Sequence, residues 1–357
     1  MKRRSGKVMV AMSGGVDSSV AALLLQREGY DVSGITMCIS AEPAGGGRKC
    51  CSPEDITDAR KVCRMLGIGH HVLSMSGEME KRVIGPFIED YRHGRTPNPC
   101  ILCNEHIKFR ALVDSLTPSG MELLATGHYA RLIDGGGMPA LAVPADRAKD
   151  QTYFLYSVDR ERLARVVFPL GELTKEEVRK LASGSGLPVS EKPESQDVCF
   201  WPEGGGAAFF KSRGIEPVPG DILSVAGEVI GRHSGIVNYT IGQRRGMGIS
   251  APEPLYVISI DPEANTVVAG EERYLYSDRL TARPVNFLPG LSSGRAAGKI
   301  RYAHRPEPCL FSLSGDMLEV RFDEPQKAVT PGQSVVLYRD DIVIGGGIIE
   351  SSSRERE

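Results

Sequence analysis

Residues 12–19 read MSGGVDSS and directly follow the apolar run Val8-Met9-Val10-Ala11, so a buried strand is expected to pass straight into a glycine turn carrying one acid and several hydroxyls. This is the make-up of a phosphate cradle. Gly14 and Gly15 let the backbone turn sharply and aim several N–H groups at one anion, and Ser13, Ser18 and Ser19 add hydroxyl donors. The stretch 18–28 (SSVAALLLQRE) reads as a helix whose positive N-terminal end faces the same anion. The mononucleotide pattern GxxxxGK followed by Ser or Thr does not occur in the chain. A second reactive group lies in TPNPCILCN at 96–104, where two prolines stiffen a loop that delivers Cys100 and Cys103 just before a helix predicted over 104–116. A thiol at such a helix start has its thiolate stabilised by unpaired N–H groups. By itself the CxxC leaves zinc, redox and nucleophilic roles open. No second CxxC or CxxH supplies the other half of a structural zinc site. Cys199, in SQDVCF at 195–200, is one more thiol in a polar stretch, and alone it reads as structural.

The elements that must hold these groups alternate strand and helix through the first two hundred residues. Strands are predicted over 31–39, 70–75 and 122–126, and helices over 53–66 and 79–91. Thr174 with Glu177 forms a capping-box pattern opening one more helix through Ala182. This rhythm predicts an α/β, doubly wound parallel sheet, whose ligands bind beyond the carboxyl ends of the strands. After Trp201 the pattern changes to short β-rich runs at 254–260, 266–268, 318–322, 334–338 and 342–344, separated by Gly, Pro and Asp turns. We therefore expect three domains: 1–205 catalytic, 206–272 a small β-rich linking domain, and 273–357 a C-terminal antiparallel β-barrel. The SSSRERE tail is expected to be disordered.

Composition narrows the class. At 357 residues the chain exceeds one ordinary core, and a 25% charged, 41% hydrophobic make-up is that of a soluble globular protein. No apolar stretch approaches membrane-spanning length and the N-terminus is not a signal peptide, so a cytoplasmic protein with no membrane partner is expected. Eight cysteines then point to thiol or metal chemistry rather than a disulfide framework. The net charge of −2 exerts no global pull on nucleic acid, so RNA binding would need a local surface.

The run SGGVDS resembles the pyrophosphate (PP) loop of ATP pyrophosphatases, which split ATP to AMP and pyrophosphate, usually to adenylate a carbonyl oxygen. TPNPCILCN, ATGHYAR (125–131), KDQTYFLY (149–156), SQDVCF and GQRRGMGI (242–249) follow in the order found in the tRNA 2-thiouridylase family. The resemblance continues through the C-terminal RYAH and PGQSVVLY segments, and together these motifs make a specific match. It implies ATP-dependent 2-thiolation of the wobble uridine, position 34, of tRNA, with AMP and pyrophosphate as by-products.

Carried onto this chain, the resemblance implies an ATP site of Ala11, Met12, Ser13, Gly14, Gly15, Val16, Asp17 and Ser18 with Met37 and Gly127 at the adenosine. Asp17 would contribute to Mg2+ binding. Cys199 would accept sulfur as a persulfide and Cys103 would be the nucleophile that releases it, while Asn98, Pro99 and Cys100 pack around the target base. His128, Lys149, Asp150, Gln151, Arg301, Tyr302 and Gln333 would contact the tRNA, through its anticodon arm. A sulfur-donor protein, such as a cysteine desulfurase or sulfur carrier, is the second implied partner. Many relatives carry aspartate where this chain has Cys100, which opens a further reading: Cys100, Cys103 and Cys199 as ligands of a [4Fe-4S] cluster. Cys50 and Cys51, adjacent in a Gly-rich loop, make an awkward chelate, and Cys38, Cys63 and Cys309 read as core or surface residues. Two other classes compete: a PP-loop ATP-dependent ligase acting on a small molecule, and a catalytically silent RNA-binding or sulfur-carrier protein.

Overall fold

The apolar run KVMVA forms strand β1 (Lys7–Ala11), with Val8 and Val10 wholly buried beneath helix α1 (Val16–Arg27), itself apolar on nearly every side. A computed structural model describes residues 6–39, 53–193, 198–201 and 205–354. Cys50, Cys51 and Ser195 to Asp197 of the SQDVCF run lie outside the described residues. By internal contacts the chain divides into two units.

The first unit comprises the described residues up to Val83, with Cys100–Trp201 and Asp341–Val343. Strands β2 (Asp31–Cys38), β3 (Gly69–Ser74), β4 (Leu123–Ala125) and β7 (Val166–Val167) join β1 in a parallel sheet of order β3-β2-β1-β4-β7. From β1 the chain winds outward to β3 and then crosses to β4, so the order reverses between β1 and β4. A crevice opens there at the carboxyl ends, where doubly wound sheets bind ligands. Helix α2 occupies Pro53–Leu66 as its periodicity predicts, burying Ala59, Val62 and Cys63 against the sheet. The predicted helix over 79–91 is three segments: α-helix Ser76–Met79, π-helix Glu80–Ile84 and α-helix Gly85–Arg92. A hairpin of β5 (Arg131–Asp134) and β6 (Pro139–Ala142), absent from the sequence reading, turns through three glycines, Asp134 accepting a hydrogen bond from the Gly137 N–H at 2.7 Å.

The second unit comprises Ile84–Pro99, Pro202–Asp340 and the chain after Val343. Strands β8 (Gly220–Ser224), β9 (Val229–His233), β10 (Tyr256–Asp261) and β11 (Thr266–Gly270) form a small sheet of order β10-β11-β8-β9 over Ile222, Val257 and Val267. Strands β12 (Tyr276–Phe287), β13 (Ser293–Lys299), β14 (Glu307–Ser314), β15 (Met317–Lys327), β16 (Ser334–Arg339) and β17 (Ile342–Ser353) run in the order β12-β15-β14-β13-β16-β17. Pairing of β12 with β17 closes them into the expected antiparallel barrel. That pairing corrects the expectation of a disordered tail for its three serines, Ser351, Ser352 and Ser353 pairing with Thr281, Leu280 and Arg279, while residues 355–357 lie outside the described residues. Backbone hydrogen bonds of a closing strand hold residues whose side chains contribute no apolar burial.

Candidate active site

Helix α1 starts at Val16, two residues before the predicted start, because Gly15 takes an extended conformation as its N-cap. No side chain caps that end, which leaves first-turn N–H groups for an anion. Met12 and Val16 are buried and pin the loop at both ends, the Met12 N–H donating to the Ile35 carbonyl and Thr36 Oγ1 donating to the Met12 carbonyl. Ser18 Oγ accepts from the Ser13 N–H at 3.2 Å, and Ser19 Oγ donates to the Gly15 carbonyl at 2.8 Å. Ser19 is fully buried in that role, so it is a brace of the loop rather than a donor to an anion. Gly14 sits at φ +72°, and a Cβ there would lie 2.3 Å from the Asp55 carbonyl oxygen of α2. Only glycine permits this approach.

Asp17 is already engaged. Lys175 Nζ donates to its two carboxylate oxygens at 2.7 and 2.8 Å, and the Tyr129 hydroxyl donates to one of them at 2.9 Å. The expected magnesium role of Asp17 thus falls on a carboxylate that is paired with Lys175 and Tyr129 in this structure. Lys175 follows Thr174, the N-cap of the helix Lys175–Gly184, where both halves of the predicted capping box are made. Across the crevice, Gly127 closes on the loop from the end of β4: a Cβ there would lie 2.7 Å from the Ser18 nitrogen. Met37 stands near the end of β2, half-buried. Residues of the loop, Gly127 and Met37 thus come from the carboxyl ends of β1, β4 and β2.

The CxxC pair lies inside a helix rather than before one. The helix opens at Pro99, where proline is favoured, as Pro99–Leu102, continues as a π-helix over Cys103–Ala111, and ends as Leu112–Leu116. Cys100 in its first turn is exposed, and Cys103 and Cys199 are half-buried. Asn104 is buried beside Cys103, its Nδ2 donating to the Phe154 carbonyl at 2.9 Å. Among the described residues no group of three His, Cys, Asp or Glu side chains is placed to hold a metal ion. Cys100, Cys103 and Cys199 are therefore not gathered into the ligand set a [4Fe-4S] cluster needs. Burial pushes the Cys63 thiol up to about 11 and the Cys309 thiol up to about 12, so both are inert at neutral pH.

Several residues expected at an RNA surface have inward partners. The Gln151 side chain accepts from the Tyr129 N–H at 2.9 Å, and Asp150 accepts from the Thr152 N–H and hydroxyl. Gln333 Nε2 donates to the Thr96 carbonyl at 2.8 Å, strapping the proline loop from within the second unit. Arg301 donates to the Lys327 carbonyl at 3.0 Å, and Tyr302 is exposed with the Lys299 ammonium 5.3 Å from its ring centroid. Lys149 and Asn98 are half-buried, and Pro99 is buried. His128 donates or accepts at both ring nitrogens, with Thr126 Oγ1 at 2.6 Å and Lys108 Nζ at 3.5 Å. Lys108, Thr126, Tyr129 and Lys175 were missed from sequence. Only the IKF that follows the CxxC and the ATGHYAR run hinted at them.

Three family models match the chain: the tRNA methyl transferase HUP domain over residues 6–203, the tRNA methyl transferase PRC-barrel domain over 208–271, and the aminomethyltransferase beta-barrel domain over 277–349. A tRNA-specific 2-thiouridylase of Syntrophus aciditrophicus is 47% identical over 346 residues, 97% of this chain and 93% of that protein. Another, of Syntrophotalea carbinolica, is 47% identical over 354 residues, covering 98% of this chain and 100% of its own length. Among solved structures the overlap is loose. NMN synthetase from Francisella tularensis gives a TM-score of 0.34 at 17% identity over 54% of this chain and 67% of that one. A 4-thiouridine synthetase in complex with RNA and ATP gives 0.36 at 21% over 55% and 45%.

Proposed function

The chain belongs to the tRNA-specific 2-thiouridylase family, and from that premise we propose that it thiolates the wobble uridine, position 34, by adenylating the C2 oxygen and transferring sulfur from a cysteine persulfide. As a family member it is an enzyme, an ATP-binding transferase of tRNA modification. The uncapped glycine start of α1, closed over by Gly127 at the point where the strand order reverses, carries the nucleotide part of the reading. Ala11, Met12, Ser13, Gly14, Gly15, Val16, Asp17 and Ser18 hold the phosphates, and Met37 and Gly127 the adenosine. Magnesium enters as the counter-ion of the triphosphate, which neutralises charge on the phosphate oxygens. The domains are read as 1–205, 206–272 and 273–357.

In the reaction the uridine O2 attacks the α-phosphorus, and pyrophosphate leaves with the electron pair of its bond. The terminal sulfur of a persulfide on Cys199 attacks C2, and AMP departs with the former base oxygen. The Cys103 thiolate then attacks Cys199 Sγ, and the S–S bond breaks toward the sulfur on C2. The products are 2-thiouridine and a Cys103–Cys199 disulfide, with the two thiol protons passed to water and a cellular thiol reductant reopening the disulfide. Asn98, Pro99 and Cys100 receive the base, which must leave the anticodon stack to reach ATP. His128, Lys149, Asp150, Gln151, Arg301, Tyr302 and Gln333 form or brace the surface that meets the anticodon arm. The sulfur comes from a donor protein, a cysteine desulfurase or sulfur carrier.

Incubation of the protein with unmodified tRNA, ATP and a persulfide donor should give AMP and 2-thiouridine in equal amounts. Cys199→Ser should still release AMP and yield no thiolated base. AMP release that needs no tRNA, together with a ligated small molecule, would establish the ligase alternative instead.

A further inference from the structure

The π-helical segment Cys103–Ala111 carries Lys108 five residues after Cys103, the spacing of one i→i+5 turn, so cation and thiol share a side of the helix. Lys108 is half-buried, and among the described residues its ammonium has no carboxylate partner. What it faces is an imidazole: Nζ lies 3.5 Å from His128 Nε2. On the far side of the ring, Nδ1 lies 2.6 Å from Thr126 Oγ1. An ammonium can only donate, so Nε2 must be the lone-pair nitrogen and Nδ1–H the donor to Thr126. Burial and the nearby Lys108 charge push the His128 pKa well below the ordinary imidazole range, so the ring stays neutral and keeps that acceptor at neutral pH. The rings of Phe109 and Phe168, with centroids 5.7 and 6.1 Å from the imidazole, fix its plane.

A cation held by a neutral acceptor in a partly dry place is costly until an anion arrives. The place is informative: His128 follows Gly127, whose backbone lies against the first turn of α1. We propose that Lys108 is a catalytic residue that meets the negative charge developing on the α-phosphate and the departing pyrophosphate during adenylation, with His128 as the residue that positions it. This rests on the adenylation reading above. Lys108 makes and breaks no bond; it stabilises the oxygens of the phosphorus that exchanges its bridging oxygen for the uridine O2.

The test follows AMP formation by the full-length enzyme with saturating ATP and unmodified tRNA, beside ATP KM and tRNA Kd. Lys108→Met should lower kcat for AMP formation by about 100-fold or more, the usual loss on removing one such donor, with KM and Kd changed less than about threefold. Lys108→Arg should recover most of the rate, because it restores the charge. His128→Asn should lose about tenfold in kcat with ATP KM changed less than about threefold, the thermal midpoint of each variant confirming a folded protein. Parental kcat in Lys108→Met would overturn the proposal, as would a loss confined to KM or Kd, which would make Lys108 a binding residue only. If the parental enzyme forms no AMP with tRNA, the adenylation reading itself fails, whatever the variants do.

Discussion

At Gly14 and Asp17 the glycine loop ahead of α1 is held by close backbone packing and by an ion pair. Gly14→Ala must hold φ +72° with a Cβ driven to 2.3 Å of a backbone oxygen of α2. The left-handed conformation alone costs about 1–2 kcal/mol, so the urea midpoint should fall by at least that equivalent, and the loop should lose ATP. Lys175→Met leaves the Asp17 carboxylate with the Tyr129 hydroxyl as its remaining partner here, an expected cost of about 1–3 kcal/mol. A double-mutant cycle with Asp17→Asn should show that most of this loss is shared between the two residues. The cysteines sort by burial: alkylation of the native protein at pH 8 should label Cys100 quickly and leave Cys63 and Cys309 unmodified until urea exposes them. Labelling of Cys309 at the rate of Cys100 in native buffer would contradict the packing described.

Among the elements, Gln333 braces the loop that leads into the reactive helix. Gln333→Ala removes the hydrogen bond to the Thr96 carbonyl, and the Thr96 amide, which donates to the Pro331 carbonyl at 2.9 Å, should exchange faster with solvent. The expected destabilisation is about 1 kcal/mol, with thiolation falling more than ATP affinity. Elements whose reason is local could be read from sequence: β1 into a glycine turn into α1, the Pro53–Leu66 helix with its apolar face, the Thr174–Glu177 capping box. Those whose reason is distant could not. Strand β13, SGRAAGK, has little β-propensity of its own; Gly298 is there because a Cβ would lie 2.8 Å from the Phe322 ring. Lys175 reaches Asp17 across 158 positions of sequence, and nothing in the pattern around either residue announces the partner. The π-helical winding after Cys103 likewise has no periodic signature, and the helix begins at Pro99, five residues before the predicted start.

For the molecule as a whole, acid is the stress to apply. Burial lowers the pKa of His70, His106, His128 and His304 from the ordinary 6.5. Below that value the unfolded chain takes up protons that the folded protein refuses, so the unfolded state binds more protons and stability falls as pH falls. The contribution is fully present above pH 6.5 and is lost progressively below it, toward the folded values. Asp90, raised by burial, acts in the opposite sense at lower pH. Urea midpoints should therefore drop between pH 7.5 and 5.5, and His70→Gln should flatten that slope; an unchanged slope would show that His70 does not contribute to it. The first unit also takes Asp341–Val343 from the far end of the chain: Asp341 pairs with Arg147 at 2.6 Å and Ile342 pairs with Ala142 on β6. During synthesis, a ribosome that has emitted every other residue of that unit must still deliver the small sheet and the barrel strands β12 to β16 before those three arrive. The unit begun first therefore stays incomplete until the last strand of the chain begins to emerge, and a nascent chain released at residue 340 should carry β6 as a bare edge, open to protease and to pairing with other chains.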